Sequence, residues 1–128
     1  MSFRLKPGEY EILGVRAAAG VFPVVAHFFA PLYTALRVQG PGVYYLGQMR
    51  ATVRERQGDE FRAGPMFPPV HQMVAGASTG TFDVQILDEQ ARDERLFRSR
   101  FEQLRAVPVT AAVLPPFDRA KAQDRWEK

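Results

Sequence analysis

Hydrophobic and polar residues alternate along the middle of the chain, over residues 43–56. One face of this segment collects apolar residues: Val43, Tyr45, Met49, Ala51 and Val53. The other face collects polar residues: Gln48, Arg50, Thr52, Arg54 and Arg56. A period of two residues is typical of a β-strand with one buried face. Residues 32–38 alternate in the same way, and the short linker 39–42, Gln-Gly-Pro-Gly, predicts that the two strands form an antiparallel hairpin.

The N-terminal residues predict a second hairpin. Residues 3–6 alternate, Pro7-Gly8 supplies a turn, and a strand follows over 10–15. The apolar residues of that strand change face at Gly14, which a β-bulge would absorb. We therefore expect a structural role for Gly14.

Two further strands are expected in the last third of the chain. The strand 81–87 would point Phe82, Val84 and Ile86 inward, and Thr81, Asp83 and Gln85 outward. A weaker strand is predicted over 107–114, where Pro108 restricts it to the edge of a sheet.

One amphipathic helix is predicted within Asp88–Leu104. The side chain of Asp88 can accept hydrogen bonds from the first free N–H groups of the helix. An apolar stripe recurs at helical spacing and is expected to dock on a sheet: Leu96, Phe97, Phe101 and Leu104. Glu94 precedes Arg98 by four residues, which predicts a surface ion pair.

These elements predict a mainly β fold, an antiparallel β-sandwich of about six strands with one amphipathic helix near the C-terminus. The sandwich would occupy residues 1–116, followed by a charged tail, 117–128, with a frayed helix as one interpretation. The segment 57–79 is too long for an ordinary connection, so it is either a mobile loop or a binding loop.

Composition narrows the classes of function. The 17 Lys and Arg residues are interleaved with 14 Asp and Glu, so the net charge of +3 does not predict a nucleic-acid surface. No cysteine is present, which excludes disulfides, Cys-ligated metals and a lipid-modified Cys. The apolar segment 21–33 contains two prolines and is shorter than the ~20 residues of a transmembrane helix. The first residues also lack the apolar core of a secretory signal.

Residues 76–80 match the G-x-S-x-G pattern that exposes a nucleophilic serine, here Ser78. In hydrolases with that pattern a helix follows the serine, and the catalytic histidine comes later in the chain. Here a predicted strand follows Ser78 and no histidine does. We therefore interpret this segment as a Gly/Ser/Thr turn.

The sequence also gives little support for a metal site or for acid–base catalysis. His27 and His71 are the only histidines, and a catalytic zinc needs about three protein ligands. The carboxylates that could form a catalytic pair are expected on outward faces or loops: Glu9, Glu11, Glu55, Asp59, Glu60 and Asp83. We predict that the chain has no catalytic residue, no cofactor and no metal.

Aromatic residues at strand spacing leave one binding alternative open. Tyr10, Tyr44, Tyr45 and Phe82 would line a groove for a sugar or peptide if they were exposed together. The same spacing more often places such residues in the core, which is the interpretation we favour.

Two segments carry a resemblance to a known group of proteins: Leu5-Lys6-Pro7-Gly8-Glu9-Tyr10 and residues 38–47, VQGPGVYYLG. A strand with Pro-Gly-x-Tyr, followed by a glycine turn into Tyr-Leu-Gly, resembles uncharacterised bacterial envelope and lipoprotein-like β-sandwich domains. These are similar in turn to prealbumin-like or carboxypeptidase-regulatory-like modules. The resemblance implies a β-sandwich with no known activity in the periplasm or cell envelope, shortened here at its N-terminus. It implies no catalytic residues.

The combined expectation is a non-enzymatic, envelope-associated structural or protein-interaction module. The alternative is a small-ligand or carbohydrate-binding module that uses Tyr44, Tyr45 and the 57–79 loop. We further expect a homo-oligomer formed through sheet edges or through the 21–33 segment, since unpaired edges and apolar patches favour association. An envelope protein is a further expected partner. We expect no binding to nucleic acid and no transmembrane segment in the chain.

Overall fold

The computed structural model describes residues 1–21, 24–64 and 79–128. Of these residues, 45% lie in strands and 21% in helices, so the prediction of a mainly β chain is confirmed. The strands are β1 (Gly8–Val21), β2 (Val24–Val38), β3 (Val43–Tyr45), β4 (Gln48–Glu55), β5 (Gly80–Leu87) and β6 (Val109–Ala111). The helices are α1 (Gln90–Arg100), a short 3-10 helix (Glu102–Leu104) and α2 (Arg119–Glu127).

Each described strand pairs with one other strand, in the order β1–β2, β4–β5 and β3–β6. The two long pairs are antiparallel. β3 and β6 instead run parallel, with Val43 opposite Val109 and Tyr45 opposite Ala111. Beyond β6 the pairing continues irregularly, because the N–H of Leu114 donates to the carbonyl of Leu46 at 2.9 Å. Each described strand therefore pairs with a single other strand, although Ala63 adds backbone contacts to two of them: it accepts from the N–H of Phe29 in β2 at 2.7 Å and donates to the carbonyl of Gly80 in β5 at 2.8 Å.

The predicted hairpin of residues 32–38 with 43–56 is wrong. β2 pairs with β1, and the expected long strand is divided into β3 and β4 at Leu46-Gly47. Gly47 has φ of 102°, and a Cβ there would lie 3.1 Å from Ile86 Cγ2. β1 and β2 are close neighbours in the sequence, so pairing them costs little chain entropy.

The predicted N-terminal hairpin is also wrong, because residues 1–7 form no strand and β1 begins at Gly8. The structural role of Gly14 is confirmed, although its cause is a close approach of β2. A Cβ on Gly14 would lie 2.4 Å from the carbonyl oxygen of Ala30 and 2.7 Å from the ring of Phe29. Both distances are far below van der Waals contact, so only glycine fits at this position of β1.

The chain divides into two compact units. The first, the α1 unit, comprises residues 1–11, 34–50 and 85–116, and the second, the α2 unit, comprises 12–33, 51–84 and 117–128. Buried apolar side chains of the α2 unit are Ala26, Ala30, Leu32, Phe61, Ala63, Phe82, Val84 and Ala122. In the α1 unit Tyr45 is buried.

The predicted strand 81–87 is confirmed as β5, with one correction to its faces. Phe82 and Val84 are buried, while Asp83 and Gln85 are exposed as expected. Thr81 was expected to face outward but is fully buried. Its hydroxyl lies 3.5 Å from Nη1 of Arg119, a residue of α2, so the polar group gains a partner from a distant segment.

The predicted C-terminal-region helix exists as α1, but its apolar stripe does not dock. Leu96 and Phe101 are 48% and 40% exposed, and no residue of α1 is buried. Polar contacts hold the helix instead: Gln90 Nε2 donates to the carbonyl of Val109 at 3.2 Å, and Arg98 Nη2 donates to that of Val107 at 2.8 Å.

The charged tail contains a well-formed second helix, α2. The Asp118 carboxylate accepts a hydrogen bond from the backbone N–H of Lys121 at 3.0 Å, which is an N-cap. Ala122 in the next turn is fully buried. No helix among the described residues is both long enough and apolar enough to cross a bilayer.

Candidate functional site

Four charged side chains of the α2 unit form a closed ring of ion pairs. Arg54 Nη2 lies 2.6 Å from Glu60 Oε1, which lies 3.3 Å from Arg119 Nη1. Arg119 Nη2 lies 2.9 Å from Asp83 Oδ1, which lies 3.0 Å from Arg54 Nε. Each cation therefore contacts both anions, and the formal charge of the cluster is zero.

Four elements bring the ring together: two strands, a turn and a helix. Arg54 and Asp83 come from the paired strands β4 and β5, and Arg119 opens α2. A tight turn carries Glu60 back towards β4: its N–H donates to the carbonyl of Gln57 at 3.3 Å, and its carboxylate accepts from the N–H of Gln57 at 3.0 Å. The ring thus joins a strand pair, a loop and a helix of the α2 unit.

Electrostatics in the ring favour the charged forms. Hydrogen bonds from the Arg54 guanidinium, followed by the N–H of Gln57, lower the pKa of Glu60 to about 2. The hydrogen bonds that Arg54 donates to Glu60 and Asp83 raise the pKa of its guanidinium. A general acid or base works best with a pKa near the ambient pH. Glu60 is therefore poorly suited to proton transfer at neutral pH.

Helix α2 adds polar contacts around the ring. Arg119 also donates to the carbonyl of Phe82 and lies over the Phe61 ring, with 5.0 Å from Cζ to the ring centroid. The Gln123 side-chain amide accepts from the N–H of Phe61 at 2.7 Å and donates to the carbonyl of Asp59 at 2.8 Å. These contacts satisfy backbone groups of the 57–64 segment, which forms no strand or helix.

The α1 unit contains a second polar cluster, centred on Tyr45. Its hydroxyl donates to Asp93 Oδ2 at 2.7 Å and accepts from the N–H of Glu89 at 3.2 Å. Burial, and then the hydrogen bond to Asp93, raise the pKa of Tyr45 to about 12. The N-cap residue of α1, Glu89, makes no side-chain cap. As the sequence predicts, the Asp88 carboxylate accepts from the first N–H of the helix, that of Gln90, at 3.2 Å, and the tyrosine hydroxyl accepts from the N–H of Glu89.

Tyr44 and Tyr10 occupy two copies of one turn. The Tyr10 hydroxyl donates to the carbonyl of Lys6 at 2.8 Å, and the Tyr44 hydroxyl donates to that of Gly40 at 3.3 Å. In both turns the glycine two residues before the tyrosine has a strongly positive φ, 156° at Gly8 and 153° at Gly42. The Pro-Gly-x-Tyr sequence therefore encodes the same local structure twice.

The aromatic residues proposed as a groove are not brought to one face. Tyr44 is exposed and Tyr45 is buried, because successive residues of β3 point in opposite directions. Phe82 is buried within the α2 unit. Of the 57–79 loop, residues 65–78 lie outside the described residues.

The other sequence candidates remain dispersed or undescribed. His27 is exposed on β2, while His71 and Ser78 lie outside the described residues. Among the carboxylates, Glu60 and Asp83 meet in the ring, whereas Glu9 pairs with Arg37 at 2.8 Å. The described part of the chain contains no group of three or more metal-ligating side chains arranged to hold an ion.

Comparison with known proteins finds no matching family model, no similar curated protein and no similar solved structure. The ring and the Tyr45 cluster therefore have to be interpreted from their own chemistry. Each cluster joins distant segments of one unit, and the pKa values of Glu60 and Tyr45 are shifted away from neutral pH. This arrangement is typical of structural networks.

Proposed function

We propose that the chain is a non-enzymatic, envelope-associated interaction module with an antiparallel β-sandwich architecture, which pairs with a second copy through its β1–β2 strands. One observation carries the proposal. The polar clusters of the described residues are used to hold the fold together, whereas large apolar side chains on β1 and β2, Leu13 and Val25, are exposed. Such a distribution favours binding over chemistry.

The directions of the pKa shifts support a non-enzymatic role. Glu60 and Glu94 have lowered pKa values, in each case chiefly through hydrogen bonds from an arginine, Arg54 and Arg98. Tyr45 has a raised pKa because it is buried. Catalytic sites arrange pKa values towards the working pH, and these three groups move away from it.

The exposure of β1 and β2 supports pairing between copies. The two strands are 14 and 15 residues long, and β1 has only β2 as a described neighbour. β2 also donates the N–H of Phe29 to the carbonyl of Ala63 at 2.7 Å, so the open edge is that of β1. Residues 16–20 of β1 are exposed without interruption, so both faces of the strand meet solvent there. A two-stranded sheet is only marginally stable in water, and unpaired edges recruit further strands. A twofold arrangement of two copies would close the assembly.

Some apolar residues of the 21–33 segment are buried and others are exposed. Ala26, Ala30 and Leu32 are buried within the α2 unit, while Val25 remains exposed. The part of this segment available to a partner therefore lies towards the start of β2. The proposed interface is therefore limited to β1 and the first residues of β2, around Val25.

The resemblance to lipoprotein-like sandwich domains supports the location in the periplasm or cell envelope. It depends on the Pro-Gly-x-Tyr pattern, and both copies of that pattern form one well-defined turn. Because the motif forms the same turn at both positions, it has a defined structural role, and this supports its use as the basis of the resemblance.

The test is the solution mass, measured by light scattering after size exclusion over a range of concentrations. We expect twice the chain mass of 14.4 kDa. Val25→Lys should give the monomer, because a charge on an exposed strand opposes pairing. Val53→Lys is the matched control, since Val53 is an exposed valine of β4 in the same unit. A mass of 14.4 kDa at every concentration would refute self-association.

A further inference from the structure

Helix α1 separates its arginines from its carboxylates. Arg92, Arg95 and Arg100 are exposed, whereas the side chains of Asp93 and Glu94 are only 14% and 26% exposed. Asp93 is drawn inward by the hydroxyl of Tyr45. Within α1 the exposed charged side chains are therefore arginines, although Arg92 also pairs with Asp93 at 3.1 Å and the exposed Glu102, paired with Arg105, follows directly after Phe101.

Two large apolar side chains share the solvent-facing side of α1. Leu96 follows Arg92 by four residues and precedes Arg100 by four, so the three lie along one face of the helix. Phe101 follows at the C-cap, and both Leu96 and Phe101 are exposed. We call these five residues the α1 patch: Arg92, Arg95, Leu96, Arg100 and Phe101.

We propose that the α1 patch binds the surface of a membrane that contains anionic lipids. Leu96 and Phe101 would enter the boundary between headgroups and acyl chains, as the apolar residues of interfacial helices do. The arginines have long apolar stems that can lie along this boundary while their guanidinium groups reach lipid phosphates. At 11 residues, α1 is long enough to lie on a membrane surface.

Charge complementarity favours an anionic membrane over a second copy of the chain as the partner of the α1 patch. A twofold pairing of the patch with itself would place arginines against arginines, which is unfavourable. An anionic surface instead gains attraction from each basic residue near it. Arg100 forms no ion pair with any described residue, so its charge is available to a partner.

The apolar residues also favour lipid over nucleic acid. Protein surfaces that bind nucleic acid are strongly polar, and their contacts are made mainly to phosphates and base edges. Leu96 lies between the arginines. Burial in lipid would stabilise this leucine, whereas on a nucleic-acid duplex it would separate the arginines that contact phosphates. The inference goes beyond the proposed self-association, because it assigns a lipid partner to the α1 unit.

The test is co-sedimentation of the full chain with vesicles. We expect binding to equimolar phosphatidylcholine and phosphatidylglycerol, weakening as salt is added, and little binding to phosphatidylcholine alone. Arg95→Gln should lower the partition coefficient about five-fold. Arg50→Gln is the matched control: it removes an exposed arginine of β4 in the same unit and should leave binding unchanged.

A second pair of variants tests the apolar contribution. Leu96→Ser should lower the partition coefficient about ten-fold, since it removes a leucine from the lipid boundary. Leu5→Ser, which changes an exposed leucine of the same unit outside the helix, should have little effect. Unchanged thermal unfolding of all variants, followed by circular dichroism, would exclude loss of fold as the cause.

Three results of the vesicle experiments would overturn the proposal: equal binding to neutral and anionic vesicles, no binding to either, or equal losses in Arg95→Gln and Arg50→Gln. Tighter binding to a DNA or RNA oligonucleotide than to vesicles, with the same dependence on Arg95, would replace lipid by nucleic acid and also overturn it. The solution mass is measured separately, so failure of vesicle binding leaves the proposed self-association standing.

Discussion

The carboxylate of Glu60 receives two parallel hydrogen bonds from the guanidinium of Arg54. The distances are 2.8 Å from Nη1 to Oε2 and 2.6 Å from Nη2 to Oε1. A two-pronged contact of this kind fixes both side chains in orientation as well as in distance. It is the shortest link in the ring that joins β4, β5 and α2 in the α2 unit.

The pH dependence of stability should report on this contact. The pKa of Glu60 is lowered from 4.5 to about 2, so its stabilising effect is complete above pH 4.5 and is lost as pH falls towards 2. Glu60→Gln removes the ionised form. We therefore expect the melting temperature of wild type to exceed that of Glu60→Gln at neutral pH, and the two to converge across this acidic window. A constant difference down to pH 2 would contradict the assignment.

Gly14→Ala should destabilise the chain by about 1–3 kcal/mol, because the new methyl would overlap with the backbone of β2. The nearest atom, the carbonyl oxygen of Ala30, would lie 2.4 Å away. Urea unfolding measures the change. Gly40→Ala is the control, since a Cβ at Gly40 meets no atom within 4 Å. Equal stability of Gly14→Ala and wild type would show that β1 and β2 do not approach so closely.

Tyr45→Phe should cost about 1–3 kcal/mol, because it leaves the N–H of Glu89 and the carboxylate of Asp93 without the hydroxyl they share. Tyr44→Phe removes a hydroxyl whose hydrogen bond to Gly40 is long and exposed, so its cost should stay below about 0.5 kcal/mol. Chemical unfolding of both variants gives the comparison. Similar costs for the two would argue against a capping role for Tyr45.

Phe101→Ala should lower the free energy of unfolding by only about 1–2 kcal/mol, because the residue is 40% exposed. Phe61→Ala should cost about 3–5 kcal/mol, since that ring is 1% exposed. The sequence pattern alone would assign the larger cost to Phe101, as a member of a stripe that docks. A large loss on Phe101→Ala would restore that prediction.

Local periodicity predicted the strands better than their partners. The alternation over 81–87 identified β5, because the period of a pattern depends on neighbouring residues only. The pairing of β2 with β1 was missed because strand alternation indicates which residues share a face, and carries no information about the neighbouring strand.

The ring shows why the faces of β4 were partly wrong. The pattern placed Val53 inward and Arg54 outward, yet Val53 is 41% exposed and the Arg54 side chain 34%. Arg54 is held down by Glu60 and Asp83, and by a neighbour, Arg119, that lies 65 positions later. Ion pairs over such separations leave no mark on local periodicity. The helix α2 is easier to predict from the sequence, because aspartate, here Asp118, is a residue type that commonly caps helix N-termini.

The capping of α1 by Tyr45 has a consequence for folding cooperativity. An isolated helix of 11 residues is marginal in water, and the start of α1 is tied through Glu89 and Asp93 to a side chain of β3. Since β3 is itself ordered by pairing with β6, the helix and the parallel strand pair on either side of it in the sequence should form in one step. The amide hydrogens of α1 and β3 would then exchange with solvent through a shared opening event, as a single foldon.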